Sequence, residues 1–172
     1  VPMHVQRIDA RCGPGAASVR CVLLPGVGSR GEDFVTEGFV ADLQQAAPRC
    51  DITLADAHLG YFVEGQLLQR LREDVVTAPG TAAKPWLVGI SLGGMAALAY
   101  AMWHGDEIAG VLAIAPYLGR RELLRDILEA GGPRAWSRLP PEPHDRWEAY
   151  EALEDDLWRW LAQPGLGADT PG

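Results

Sequence analysis

Trp86-Leu87-Val88-Gly89-Ile90-Ser91-Leu92-Gly93-Gly94-Met95-Ala96-Ala97-Leu98-Ala99-Tyr100 is the stretch that decides the fold. An apolar run ends in Gly-x-Ser-x-Gly and passes directly into small, helix-forming residues. Strand, serine turn and helix in that order are what a nucleophilic serine on a sharp turn requires. Such a turn forces the serine backbone into a strained conformation, and the flanking glycines let strand and helix approach without Cβ clashes. The pattern predicts Ser91 above the C-terminal edge of a parallel sheet. Leu92 then offers its N–H at a helix N-terminus, where developing negative charge is stabilised.

On either side of this stretch apolar runs alternate with helical patterns, the signature of an α/β chain. Val19 to Leu24, Ile52 to Ala55, Lys84 to Ile90 and Ile108 to Ala115 read as strands, with Val5 to Ile8 as a weaker one. Ser29-Arg30-Gly31-Glu32 fits a capping box opening a helix on which Phe34, Val35, Phe39 and Leu43 share a side. Val63, Leu67, Leu68, Leu71, Val75 and Val76 keep a 3.6-residue period, predicting one amphipathic helix broken by Pro79-Gly80. The fold class expected is α/β: a mostly parallel sheet flanked by helices in three layers.

Composition shifts after Gly119. Arg120 to Ala130 is a charged helix closed by Gly131-Gly132. Asp145-x-x-Glu148 opens a helix holding Trp147, Tyr150, Leu153, Leu157, Trp158 and Leu161, an aromatic stripe of the kind that packs a core or a lid. The expected organisation is a core over 1–119, a helical lid or packing segment of the same domain over 120–163, and a tail over 164–172.

At 172 residues the chain is long enough for one sizeable core. No apolar run approaches the roughly 20 residues needed to span a membrane, and nothing at the N-terminus reads as a signal peptide. A net charge of −8 opposes binding to nucleic acid or an anionic membrane. Cys12, Cys21 and Cys50 lack metal-ligand spacing; Cys21, in a strand, reads as a buried thiol, and the cytoplasm as the expected compartment. Gly26 and Gly28 are followed by no Gly-Lys-Ser/Thr, which argues against a nucleotide site. No cofactor and no metal are expected, and the partner is a small molecule.

With Gly89-Ile90-Ser91-Leu92-Gly93 after a strand, the chain resembles the serine α/β-hydrolases. Leu23-Leu24-Pro25-Gly26-Val27-Gly28 stands where that superfamily has a strand followed by His-Gly and a small loop, with Pro25 in place of the His. Asp56-Ala57-His58-Leu59-Gly60 matches its Asp-x-x-Gly-type loop, and Ala113-Ile114-Ala115-Pro116 resembles the strand and loop after the nucleophile helix. The likeness covers roughly residues 18 to 118. It implies an acyl-Ser91 intermediate, an oxyanion hole built from the backbone N–H groups of Val27 and Leu92, an acyl substrate and a lid over 120–163. A serine nucleophile sets the chain apart from the dehalogenase and epoxide-hydrolase branches, while acyltransferases share the same machinery.

The resemblance also implies an acid after a later strand and a histidine after the last one. After Gly119 no segment reads as a strand ending in Asp or Glu. A parallel strand with its crossover takes about 30 residues, so the expectation is a chain lacking its C-terminal portion, roughly 60 residues beyond Gly172. Within the sequence, His144 is the histidine in the right chain order for a base, although its neighbour Asp145 reads as a helix cap. His58 reads as pocket lining, His104 as the far end of the nucleophile helix, Ser29 as a helix cap and Asp56 as a carboxylate stabilising its turn. Three readings follow: a serine esterase or thioesterase, a non-catalytic ligand-binding protein on a hydrolase-like sheet, or an incomplete inactive fragment.

Overall fold

Five strands form one sheet in the order β1-β3-β2-β4-β5, in a computed structural model that describes residues 1–11, 19–78, 83–140 and 149–164. β2 (Val19–Leu24) lies parallel between β3 (Cys50–Ala55) and β4 (Trp86–Ile90), with Cys21 opposite both Ile52 and Trp86. β5 (Gly110–Ile114) continues the parallel sheet beside β4. β1 (Val5–Ile8) runs antiparallel along β3 at the other edge. The sheet is thus mostly parallel, as the alternating pattern predicts.

Strand period 2 sorts the side chains onto two buried faces. Cys21 and Leu23, Cys50, Ile52 and Leu54, and Val88 pack with Phe34 and Val40 on one face. These two side chains come from α1 (Asp33–Thr36) and α2 (Phe39–Ala46). Val22, Leu24 and Leu87 alternate with them and are fully buried. α5 (Leu92–His104) packs against β2, β4 and β5 and buries Met95, Ala96, Ala99 and Tyr100. Chain order reverses between β2 and β4, so the loops after these two strands border the crevice that such a switch point opens.

Two local expectations are corrected. The Ser29–Glu32 capping box does not form: neither side chain caps a helix, and Gly38, at φ 82°, splits the expected helix into α1 and α2. Carboxylates from elsewhere take the loop amides instead. Asp33 accepts the Arg30 N–H at 2.9 Å and Asp56 accepts the Gly31 N–H at 2.6 Å. The periodic stretch 63–76 is likewise not one helix. It comprises α3 (Leu59–Val63), α4 (Leu67–Arg70) and a wide π-helical stretch, Leu71–Val76, ending in an i→i+5 bond from Thr77 N–H to Arg72 O of 2.9 Å. Gly65, at φ 67°, separates α3 from α4, and the π-helical end finds a partner outside the stretch. Arg20, buried on β2, donates to the Val76 carbonyl at 3.1 Å and also to that of Val75. Pro79-Gly80 lies outside the described residues.

The chain divides into two compact units, Val1–Tyr117 and Leu118–Gly172. Within the second, α6 (Arg121–Glu129) sets Leu123 and Ile127 against Trp136 of α7 (Pro133–Trp136) and Trp158 of α8 (Ala149–Leu161). Arg120 donates to Glu154, which is 1% exposed, through both its backbone N–H and its guanidinium. Of the aromatic residues named from the sequence, Trp158 packs against this cluster; Trp147 and the Asp145–Glu148 box lie outside the described residues.

Candidate active site

Ser91 connects β4 to α5 with φ 52° and ψ −114°, a conformation costly for any residue with a Cβ. Its neighbours hold it there. The Ser91 N–H donates to Ile114 O at 3.0 Å, and its carbonyl accepts the N–H groups of Tyr117 at 2.9 Å and Met95 at 3.1 Å. Ala115, inside that clamp, also has a positive φ of 41°. Ser91 occupies the N-cap position of α5, yet its side chain makes no cap hydrogen bond. A serine present only to cap the helix would spend its hydroxyl on the N2 or N3 amide.

The surrounding glycines explain the spacing of the motif. A Cβ on Gly89 would reach within 2.5 Å of the Gly94 nitrogen, and one on Gly93 would reach within 2.6 Å of the Pro25 carbonyl oxygen. The turn is tight because strand end and helix start touch through backbone alone. Leu92 is the first residue of α5, and the earliest intrahelical bond is that from Met95 to Ser91, so its N–H precedes the hydrogen-bonded ladder.

Opposite Ser91 lies the turn after β2. Ser29 N–H closes it onto Gly26 O at 3.2 Å, with Gly28 at φ 79° in its third position, where a type II turn needs a positive φ. Val27 sits at the exposed tip, and among the described residues its N–H donates no hydrogen bond. A Cβ on Gly26 would lie 3.4 Å from that of Ser91, which measures how closely the turn approaches the serine.

Turn and serine open onto a cleft of about 480 Å³. Phe34, Phe39 and Ile90 give it apolar walls, the two rings lying 5.4 Å apart. Asp33, Glu37, Asp42 and Arg30 give it a charged rim. Ser91, Val27 and Leu92 are thus brought to one end of the sheet. His144 lies outside the described residues. His104 ends α5, about 18 Å from Leu92 at 1.5 Å per residue, and its ring packs on Tyr100 instead.

Ser29 caps no helix; with Arg30 it lines both this cleft and a second cavity that also holds Asp56 and His58. Sequence reading missed His4, which reaches Asp56 because β1 runs antiparallel beside β3. It also missed the acidic rim formed by Asp33, Glu37 and Asp42. Among the described residues no cluster of His, Cys, Asp and Glu could hold a metal, and no helix is long and apolar enough to cross a membrane.

Strand order, serine turn and flanking loops together define a hydrolase-type α/β sheet. The sequence matches the Alpha/beta hydrolase family over residues 3–171, and the chain belongs to that family. No curated protein matches it. Among solved structures it is similar to S-formylglutathione hydrolase from Staphylococcus aureus, with TM-score 0.57 and 14% identity over 92% of this chain and 66% of that one. A fluorophosphonate-binding serine hydrolase of Staphylococcus aureus gives 0.54 and 11% over 99% and 76%. A carboxylesterase study of the thaumarchaeon Nitrososphaera gargenis gives 0.50 and 14% over 93% and 65%. The chain spans less than two thirds of the length of the first and third of these structures.

Proposed function

We propose that the protein hydrolyses carboxylic esters or thioesters through an acyl-Ser91 intermediate. One observation carries the reading: Ser91 is held at φ 52° by three backbone hydrogen bonds while its hydroxyl makes no cap bond. Strain of this kind costs about 1–3 kcal/mol and persists where surrounding structure over-determines it, commonly at reactive positions.

In the first step Ser91 Oγ attacks the acyl carbon, its proton passes to a base, and the carbonyl oxygen becomes an oxyanion. The N–H groups of Val27 and Leu92 are the donors for that oxyanion, each worth about 2.7–4 kcal/mol of barrier in comparable sites. Collapse expels the alcohol or thiol, which takes a proton, and water then repeats the sequence to release the acid and restore Ser91. His144 is the base candidate within the chain. The cleft walled by Phe34, Phe39 and Ile90 takes the acyl chain.

The test is hydrolysis of 4-nitrophenyl butanoate by the full-length protein and by its Ser91→Ala variant. Turnover well above background that is lost in the variant supports the proposal. Equal rates in the two proteins overturn it.

A further inference from the structure

A second cavity, of about 540 Å³, lies across the 26–29 turn from the Ser91 cleft and shares Ser29 and Arg30 with it. His4, Asp56, His58 and Tyr61 complete the part that matters chemically. Asp56, the carboxylate in this lining, is already engaged on both oxygens: one accepts the Gly31 N–H at 2.6 Å and the other lies 3.1 Å from His4 Nδ1. His58 accepts the Gly60 N–H on Nδ1 at 3.1 Å, which leaves Nε2–H as the ring's donor. Its ring stacks on Tyr61 with centroids 4.2 Å apart, so that donor is fixed in orientation. Among the described residues the Arg30 guanidinium has no acceptor. Arg30, Ser29 and His58 thus line the cavity beside Asp56, whose two oxygens are both taken up by hydrogen bonds to Gly31 and His4.

Building on Ser91 as the nucleophile, we infer that this cavity is the leaving-group subsite and that it takes a substrate-borne oxyanion, a carboxylate or phosphate. A guanidinium and a fixed N–H donor match such a group in charge and hydrogen-bonding capacity. The chain's net charge of −8 and the acidic rim of the neighbouring cleft act against anions at long range. At physiological salt the screening length is about 8 Å, so the groups in direct contact decide the outcome.

The test uses three butanoate esters and the full-length protein: that of 4-hydroxybenzoate, which is anionic, that of its methyl ester, which is neutral, and that of 4-(trimethylammonio)phenol, which is cationic. Each kcat/KM is divided by the same ester's rate with hydroxide, removing intrinsic leaving-group differences. The anionic ester is expected to be preferred about tenfold over the neutral one, with the cationic ester last. Arg30→Gln and His58→Gln each bring the anionic-to-neutral ratio toward one, and Arg30→Lys retains part of the preference. A wild-type preference for the neutral or cationic ester, or a preference that survives both substitutions, overturns the inference.

Binding of 4-hydroxybenzoate to Ser91→Ala protein, followed by NMR, examines the subsite without catalysis. Binding weakened several-fold by Arg30→Gln supports it even if no ester turns over, an outcome that would count against the nucleophile reading alone. Inorganic phosphate that binds the cavity without any preference for the anionic ester assigns it to a free anion and overturns the substrate-borne role.

Discussion

Gly93 presses so closely on the end of β2 that a Cβ placed on it would come within 2.6 Å of the Pro25 carbonyl oxygen and closer still to that of Leu24. Neither partner is the flexible end of a side chain, so the backbone itself would have to move. Gly93→Ala is therefore expected to lower stability by about 1–3 kcal/mol, as overpacking in a tight core does, and to shift Ser91 away from the 26–29 turn. Urea unfolding measures the first effect and ester hydrolysis the second. A Gly93→Ala protein of unchanged stability would mean that the contact is looser than described.

Relief of the serine's strain is separable from loss of its hydroxyl. Ser91→Ala keeps a Cβ at φ 52°, whereas Ser91→Gly removes it. Ser91→Gly is expected to be more stable than Ser91→Ala by about 1–2 kcal/mol, although glycine ordinarily costs stability elsewhere. Thermal melts of the two inactive variants provide the comparison. Equal melting temperatures would remove the argument from strain.

Arg20 contributes through the carbonyls it satisfies. Replacement by Met keeps much of the stem but leaves the Val75 and Val76 carbonyls at the end of the π-helical stretch without that donor. The expected loss is about 1–3 kcal/mol, the range for stranding a buried polar group. Arg20→Lys should recover part of it, and hydrogen exchange should rise first over 71–77.

Tyr100, Glu107 and Arg72 form a network whose titration shapes the pH dependence of stability. The Tyr100 hydroxyl donates to Glu107 at 2.7 Å, and Arg72 donates to the same carboxylate at 2.6 and 2.8 Å. The hydrogen bond from Arg72, then that from Tyr100, holds the Glu107 carboxyl below its ordinary range. Burial, then the bond to Glu107, pushes the Tyr100 phenol above its own. Because the Glu107 value is depressed, its stabilisation is present above the unfolded carboxyl range near pH ~4.3 and is lost as pH falls through the folded value. Because the Tyr100 value is raised, its stabilisation is present below pH ~10 and is lost as pH rises beyond it. Glu107→Gln should flatten the acid limb of the stability profile and Tyr100→Phe the alkaline limb. Unaltered limbs in denaturant titrations of these variants would detach the network from the profile.

The rim of the Ser91 cleft predicts a charge preference on the acyl side. Asp33 is partly engaged by the Arg30 N–H, while Glu37 and Asp42 have no cationic partner among the described residues. An acyl chain ending in a carboxylate should react a few-fold more slowly than a neutral chain of equal length, since exposed charges act with well under ~1 kcal/mol each. Glu37→Gln with Asp42→Asn should narrow that gap. A gap of the same size in the double variant would count against the rim as its source.

What was legible in the sequence was local. Gly89, Ser91 and Gly93 are near neighbours in the chain, so one turn's geometry shows directly in their spacing, and the strand patterns placed that turn at the sheet edge. Contacts between distant segments were not legible. Arg20, polar in the middle of a strand, gives no sign that its guanidinium will reach the Val75 and Val76 carbonyls at the end of a wide turn about fifty residues later. Asp56 was read as stabilising its own turn, but its carboxylate holds instead the amide of Gly31 and the ring of His4, the latter brought within reach by the β1–β3 pairing. Ser29 and Glu32 matched a cap by type and spacing, yet carboxylates from Asp33 and Asp56 held the amides of that loop.

The central claim is that Ser91 is an activated nucleophile, and the most direct measurement is mass spectrometry of the full-length protein after reaction with a fluorophosphonate probe. The account predicts one adduct per chain, located by peptide mapping on Ser91 and absent from Ser91→Ala protein. No adduct, or one spread over other serines, would contradict it and favour a binding protein in which Ser91 only touches ligand.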